Sequence, residues 1–181
     1  VLNATAAIGV CLNLGININI IKKALKNFSG VQRRMTKIFR KNKVEFYDDY
    51  AHHPTEILSV LEGIKKVYKK NKIISVFQPH RYSRIKSLKK NFSHSFVDSE
   101  IVILCPMYAA GEKKDLSYNQ EKFASMISKN SKCQVIIIKK EEELKKYFQK
   151  NLINDEIIIG MGAGTISKWM RNLKNNIWKI K

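Results

Sequence analysis

Short apolar runs and helical stripes alternate along most of this chain, and their order predicts its fold. Apolar, β-branched runs are typical of buried strands, whereas apolar positions three and four apart indicate helices. Two helices are predicted first, at 3–14 and 20–28, and a hairpin of strands follows at 33–40 and 43–50. Beyond the hairpin, the predicted helices are 54–68, 83–97, 118–128, 141–149 and 165–173, and the predicted strands are 73–77, 101–104, 134–138 and 156–160.

This alternation predicts a Rossmann-like α/β fold, an open and mostly parallel sheet with helices on both faces. The two leading helices do not fit that pattern, and Ser29-Gly30 separates them from it. We therefore expect residues 1–29 to be the end of a preceding domain and residues 30–181 to be the α/β domain. In this interpretation the sequence begins inside a longer protein.

The composition narrows the class of protein. Hydrophobic residues make up 44% of the chain, enough for a core, and no apolar run approaches the roughly 20 residues that span a bilayer. The first residues lack the pattern of a signal peptide. Cys11, Cys105 and Cys133 are odd in number and unclustered, which predicts buried thiols in a reducing cytoplasm.

The net charge of +19 raises the possibility of a nucleic-acid partner. However, the lysines form scattered pairs on the outer faces of predicted helices, such as Lys65-Lys66 and Lys145-Lys146. No aromatic residues are interleaved with them in the manner of an RNA-reading surface. We therefore interpret the charge as a solvated basic surface, and nucleic-acid binding is the less favoured alternative.

Two polar strings carry most of the candidate chemistry. Each follows a predicted strand, and carboxyl ends of parallel strands meet at one edge of a sheet, so we expect both to line one crevice. Carboxylates there can accept ribose hydroxyls or hold a metal through water, and imidazole and guanidinium groups can donate to phosphate. The strings are Asp48-Asp49-Tyr50-Ala51-His52-His53-Pro54-Thr55-Glu56 and Phe77-Gln78-Pro79-His80-Arg81-Tyr82-Ser83-Arg84.

Structural alternatives exist for both strings. Arg81 and Arg84 are three positions apart, so on a helix they share a face and can clamp one anion; otherwise they are exposed arginines of a basic protein. Asp48 or Asp49 could instead cap a helix. His53 is equally well explained as a structural residue, because it points away from its neighbour.

Three further segments are more ambiguous. The glycine-rich segment 160–165 lacks the Lys-Ser/Thr pair of a P-loop, so a tight strand-to-helix turn at the same crevice is favoured. The loop 105–117 is either a substrate lid or a plain ordered loop. Arg33-Arg34 either binds phosphate or ribose, or flanks a strand.

Together these strings resemble the Mur ligase family, which builds the peptide of bacterial cell-wall precursors. Asp49-Tyr50-Ala51-His52 resembles a string found throughout that family. Within it, the His80–Arg84 string points to the member that joins L-alanine to UDP-N-acetylmuramic acid, and the sibling that recycles murein peptides is the alternative. The resemblance also includes Leu2-Asn3-Ala4-Thr5-Ala6-Ala7, Phe28-Ser29-Gly30-Val31-Gln32-Arg33-Arg34, Tyr108-Ala109-Ala110-Gly111-Glu112 and Gly162-Ala163-Gly164.

The resemblance implies an ATP-dependent ligase of peptidoglycan synthesis. The muramoyl carboxylate would be phosphorylated, and the amine of L-alanine would displace the phosphate from the acyl phosphate. Asn3 would contact the adenine, and Arg34 and Asp49 the ribose and phosphates. The residues that would face the sugar-nucleotide acid, acyl phosphate and amino acid are Tyr50, His52, His80, Arg81 and Arg84, and all of these except Tyr50 would be catalytic.

The resemblance also implies that much of the enzyme lies elsewhere. The phosphate-binding loop and the Mg²⁺ ligands would belong to a central ATP-binding domain ending at residue 29, and the uridine site to an N-terminal domain. Residues 30–181 would be the C-terminal domain, and the 181 residues alone are expected to lack ligase activity. Two other classes remain as alternatives, an RNA-binding remnant and half of a nicotinamide-dependent oxidoreductase, the latter on fold pattern alone.

Overall fold

The computed structural model describes residues 2–28, 30–152 and 155–176, which form helices and strands in the predicted order. The helices are α1 (Leu2–Asn13), α2 (Ile18–Asn27), α3 (Pro54–Val67), α4 (Tyr82–Ser93), α5 (Gln120–Ser131), α6 (Glu141–Asn151) and α7 (Ile166–Asn176). The strands are β1 (Thr36–Lys41), β2 (Val44–Asp49), β3 (Ile73–Phe77), β4 (Ile101–Leu104), β5 (Gln134–Ile137) and β6 (Ile157–Met161).

The chain divides into two compact units, Val1–Gln32 and Arg33–Lys181. In the first unit, Gly15 ends α1 with a left-handed backbone (φ 74°), and Asn17 caps α2 by accepting a hydrogen bond from the backbone N–H of Asn19 at 2.8 Å. Ser29, at the predicted boundary, lies outside the described residues. The assignment of this unit to a central ATP-binding domain stays a prediction.

The second unit contains a six-stranded sheet in the order β1-β2-β6-β3-β4-β5. Only β1 is antiparallel to its neighbour, and the other pairs are parallel. Because β6 lies between β2 and β3, the residues that follow these three strands are neighbours at the carboxyl edge of the sheet. The predicted α/β fold is confirmed.

Each face of the sheet carries an apolar core, since side chains alternate along the strands. On one face, α3, α4 and α5 pack onto the sheet through residues such as Leu61, Phe92 and Phe123. On the other face, α6 and α7 pack through Phe148 and Met170. These side chains are at most 1% exposed, and burying each stabilises the fold by about 2 kcal/mol. The layers agree with the predicted helices on both faces.

Several predicted element boundaries were wrong; for example, α4 ends at Ser93 rather than at 97, and α5 ends at Ser131 rather than at 128. Two of the differences have clear local reasons. β1 begins at Thr36 rather than at 33, because Arg33 and Met35 adopt left-handed backbone conformations (φ 58° and 47°) that no strand contains. α5 begins at Gln120 rather than at 118, because the Asn119 side chain caps it.

Two predictions from composition can be compared with the structure. All three thiols are free; Cys105 and Cys133 are buried as expected, and burial raises the pKa of both, whereas Cys11 in the open two-helix unit is half-exposed. Among the described residues, none of the helices combines the length and apolar character needed to cross a bilayer.

Candidate functional site

A row of aromatic rings lines the carboxyl edge of the sheet. Tyr50 and His52 follow β2, His80 follows β3 and Tyr108 follows β4, and successive ring centroids are 5.1, 5.6 and 5.5 Å apart. The last pair is stacked, and the backbone N–H of Arg81 donates to the carbonyl of Tyr108 at 2.9 Å. The structure therefore brings together the two strings that the sequence placed in one crevice, and adds Tyr108 from the loop 105–117.

Hydrogen bonding gives the His80 ring a definite tautomer. Nη1 of Arg84 lies 3.1 Å from Nδ1 of His80, and since a guanidinium can only donate, Nδ1 accepts and the proton is on Nε2. Burial lowers the pKa of His80, and the positive charges of Arg84 and Arg81 lower it further. His80 is therefore a neutral N–H donor near neutral pH.

The His52 ring has the opposite character. Its Nδ1 lies 2.8 Å from the carbonyl oxygen of Tyr50, and a carbonyl can only accept, so Nδ1 carries the proton. In the neutral ring, Nε2 is left with a free lone pair. The two imidazoles thus form a pair of an acceptor and a donor whose ring centroids are 5.6 Å apart.

His53 has a structural role, which was one of the two explanations that its sequence position allowed. It is the N-cap of α3, and its Nδ1 accepts from the backbone N–H of Thr55 at 3.4 Å. The Glu56 carboxylate completes the capping box by accepting the backbone N–H groups of His52 and His53. The capping box fixes the turn from which His52 extends toward the crevice.

The helical spacing argument for the two arginines was wrong for Arg81. The helix α4 begins at Tyr82, and Arg81 is its N-cap residue. Arg81 has a left-handed backbone (φ 68°), and its backbone N–H donates to the carbonyl of Tyr108. Arg81 is exposed and Arg84 is half-buried in the first turn. Both guanidinium groups therefore lie at the positive end of α4, but not on one helix face. A shared anion stays a prediction.

Glu112, from the loop 105–117, caps the start of α4 in place of Arg81. Its carboxylate accepts the side-chain hydroxyl of Ser83 at 2.5 Å and the backbone N–H of Ser83 at 3.1 Å. These two hydrogen bonds lower the pKa of Glu112. The loop is thus attached to the helix that carries the arginines.

The two neighbouring carboxylates at the end of β2 are buried. Asp49 is 2% exposed, and its oxygens accept the backbone N–H groups of Met35 at 2.8 Å and Ala51 at 2.7 Å. Burial raises the pKa of Asp49, and these hydrogen bonds oppose the rise. Asp48 is fully buried and accepts hydrogen bonds from Ser167 and Arg171 of α7.

The described residues do not fit a magnesium site. Asp48 and Asp49 present no free carboxylate face to solvent, and within 2–28, 30–152 and 155–176 no group of three His, Cys, Asp or Glu side chains is placed to hold a metal ion. Contact of Asp49 with ribose or phosphate stays a prediction. In the structure, the Asp49 carboxylate holds the segment 33–35 across the end of β2 through its hydrogen bond with Met35.

The glycine-rich segment after β6 is a tight turn. Gln78, 3% exposed, caps α7 by accepting the backbone N–H of Ile166 at 3.1 Å. A Cβ on Gly162 would lie 2.9 Å from the Gln78 carbonyl oxygen, and one on Gly164 would lie 2.6 Å from Cγ of Tyr108. Glycine is therefore needed at both positions, because Gln78 and Tyr108 pack directly against the backbone of the turn.

The two consecutive arginines have different surroundings. Arg34 is exposed, whereas the guanidinium of Arg33 donates to the carbonyl of Gly162 and lies 4.7 Å from the Tyr50 ring centroid. Asn3 is exposed on α1 in the first unit. Sequence reasoning missed the inward role of Arg33 and the capping by Gln78 and Glu112, since all three contact partners far away in the chain.

Comparisons with known proteins show the family to which this chain belongs. Residues 33–164 match the family model for the Mur ligase glutamate ligase domain. The UDP-N-acetylmuramate–L-alanine ligase of Pelagibacter ubique is 53% identical over 171 residues, which are 94% of this chain and 37% of that protein. The chain thus spans little more than a third of the length of the curated relative.

Solved structures show the same architecture. The UDP-N-acetylmuramate-alanine ligase of Thermotoga maritima superposes with a TM-score of 0.76 at 27% identity, covering 96% of this chain and 36% of that chain. A murein peptide ligase from Psychrobacter arcticus superposes with a TM-score of 0.75 at 20% identity, covering 99% and 37%. At that identity, the second likeness concerns the fold alone.

Proposed function

The chain belongs to the Mur ligase family, with the family's glutamate ligase domain at residues 33–164, and from this premise we propose that it is the C-terminal part of an ATP-dependent ligase. The reaction we propose joins L-alanine to UDP-N-acetylmuramic acid during peptidoglycan synthesis. The Pelagibacter ubique relative that carries this activity in its name supports the choice of substrates.

The observation that carries the proposal is the donor and acceptor pair of imidazoles beside two guanidinium groups. Formation of an amide from an acyl phosphate needs a group that removes a proton from the amine and groups that stabilise negative charge. Nε2 of His52 is a proton acceptor, and Nε2–H of His80 is a donor. Arg81 and Arg84 add fixed positive charge at the start of the same helix.

These residues can carry out the formation of the amide from the acyl phosphate. His52 takes a proton from the ammonium group of L-alanine, and the resulting amine attacks the acyl carbon. The developing oxyanion and the leaving phosphate receive hydrogen bonds from His80, Arg81 and Arg84. As the bond between carbon and the phosphate oxygen breaks, the second proton of the attacking nitrogen passes to the departing phosphate, and the amide remains. Such charge stabilisation by fixed donors is a large part of the catalysis of phosphoryl and acyl transfer.

The nucleotide contacts are part of the proposal. ATP supplies the phosphoryl group that activates the muramoyl carboxylate. We propose that Arg34, exposed at the edge of the sheet, contacts its phosphates, that Asn3 contacts the adenine, and that Asp49 acts by holding the segment that carries Arg34. Mg²⁺ is expected to bind to other parts of the larger enzyme.

A domain exchange tests this function. This chain replaces the matching 171 residues of the Pelagibacter ubique ligase, and ADP formation is measured with ATP, UDP-N-acetylmuramic acid and either L-alanine or a murein tripeptide. Turnover that depends on L-alanine is expected. Turnover with the tripeptide alone would identify the recycling ligase instead, and salt-sensitive RNA binding without any turnover would favour the RNA-binding remnant.

The 181-residue chain alone is expected to give no turnover under the same conditions. The family's phosphate-binding loop is expected in another domain, and no Gly-x-x-x-x-Gly-Lys-Ser/Thr segment occurs in this sequence. Robust ADP formation by the chain alone would contradict this expectation.

A further inference from the structure

Arg33 connects two strand ends at the candidate site through its backbone and its side chain. It is the first residue of the second unit and has a left-handed backbone, with φ 58°. This conformation is uncommon for a residue with a side chain and persists where surrounding contacts hold it. The carbonyl oxygen of Arg33 accepts the backbone N–H of Tyr50 at 2.8 Å, so the backbone of Arg33 is attached to the end of β2.

The side chain of Arg33 makes three contacts in the same place. Its Nη2 donates to the carbonyl of Gly162 at the end of β6, and its Cζ lies 4.7 Å from the centroid of the Tyr50 ring. Its Nε lies 3.9 Å from Oδ1 of Asp48. The contact of Nε with Asp48 is an ion pair without a hydrogen bond. A planar, forked guanidinium can reach these three partners at once, whereas a single ammonium group cannot.

The Arg33 cation faces a buried carboxylate that it shares with Arg171. Asp48 is fully buried and also binds Ser167 at 2.5 Å and Arg171 at 3.3 Å. Only 23% of the Arg33 side chain is exposed, while the neighbouring Arg34 is exposed to solvent. Arg33 is therefore not available to bind an external anion in the way that Arg34 is.

We propose that Arg33 is a positioning residue of the ligase site, an inference that rests on the proposed function. By holding the Tyr50 ring against the end of β6, it sets the first member of the ring row, and the neighbouring ring of His52 follows 5.1 Å away. Its contribution is to the placement of the proton acceptor, because its own cation is directed inward.

The test uses the 181-residue chain and its imidazole NMR signals. The sequence has four histidines, so the signals of His52 and His80 can be assigned with His→Gln variants. Arg33→Lys keeps the charge and removes the fork, and Arg40→Lys is the matched control on the exposed side of β1. Arg33→Lys is expected to shift the His52 signal and to weaken binding of inorganic phosphate by about threefold, the size of a weak cation–π contact. The control is expected to change neither.

A second measurement does not depend on the folding of Arg33→Lys. In the wild-type chain, the side-chain protons of Arg33 are expected to be shifted upfield by the Tyr50 ring, and Tyr50→Leu is expected to remove that shift. A wild-type chain without the shift overturns the proposal. So does an Arg33→Lys variant that loses thermal stability while the His52 signal stays in place, since that result means a structural role only.

The outcome also separates this inference from the proposed function. If the wild-type chain binds no phosphate but Arg33→Lys moves the His52 signal, the anion site fails and the positioning role stands. If phosphate binds equally to wild type and Arg33→Lys with unchanged signals, the anion site stands and the positioning role is overturned.

Discussion

A buried carboxylate at the opposite end of β2 gives a quantitative test of what holds this domain together. The Glu45 side chain is 11% exposed, and its oxygens accept Nζ of Lys37 at 2.8 Å and the hydroxyls of Tyr47 and Tyr68 at 2.6 and 2.9 Å. Burial raises the pKa of Glu45, but these three hydrogen bonds outweigh burial and lower the pKa to about 2. The cluster fastens the end of α3 to the sheet.

The lowered pKa can be converted into a stability. The ordinary pKa is 4.5 and the folded pKa is about 2, and each tenfold change in proton affinity corresponds to about 1.4 kcal/mol. The ionised Glu45 therefore adds about 3 kcal/mol to the free energy of unfolding. Because the folded pKa lies below the unfolded one, this stabilisation is complete above pH 4.5 and is lost as the pH falls toward 2.

Urea unfolding of wild type and Glu45→Gln at pH 7 and pH 3 measures this effect. At pH 7 the variant is expected to be about 3 kcal/mol less stable, and at pH 3 the difference is expected to shrink by about 2 kcal/mol. Other titrating groups are common to both proteins and cancel in the difference. Glu62→Gln, at an exposed position of α3, is the control and is expected to show neither effect. A difference between wild type and Glu45→Gln that stays the same at both pH values would refute the reasoning.

Two further predictions concern the site itself. Gly164→Ala is expected to lower the free energy of unfolding by about 1–3 kcal/mol, because the new Cβ would lie 2.6 Å from Cγ of Tyr108. Gly63→Ala, where the Cβ meets open space in a helix, is expected to be neutral or stabilising, and equal losses in urea unfolding would contradict the packing argument. Arg84→Gln is expected to raise the pKa of His80 in an NMR titration. The rise is expected to restore only part of the ordinary pKa, because burial, the larger cause of the lowering, remains. An unchanged pKa would show that the guanidinium does not face the ring.

Sequence patterns predicted the sheet well because its signals are local. The strand Ile73–Phe77 is an apolar, β-branched run, and the rule that parallel strands end at one edge was enough to bring Tyr50, His52 and His80 together. The order of strands in the sheet follows from the crossover that inserts β6 between β2 and β3, which no local pattern encodes.

Long-range partners explain what could not be predicted at the site. From its place at the carboxyl end of a strand, Asp48 is predicted to be a ligand-binding carboxylate, but its hydroxyl partner Ser167 is 119 positions away. The three-residue spacing of Arg81 and Arg84 allows a shared helix face only if the helix includes Arg81, but Arg81 precedes the helix and its backbone N–H donates to Tyr108 in another loop. Such contacts are fixed only when the strands have assembled.

The central claim is that residues at the carboxyl edge of the sheet take part in the ligase reaction. The most direct test is L-alanine-dependent ADP formation by the domain-exchange enzyme carrying either Arg84→Ala or Arg40→Ala. Arg84→Ala is expected to lower kcat/KM by about a hundredfold, the cost of removing one fixed donor from a developing anion. Arg40→Ala removes an exposed guanidinium that contacts the Glu45 carboxylate at 3.7 Å and the Asn42 carbonyl at 3.1 Å, at the opposite end of β2 from the site. This variant is expected to stay within about twofold of the parent. Equal activity of the two variants, or ADP formation that does not depend on L-alanine, would contradict the proposed function.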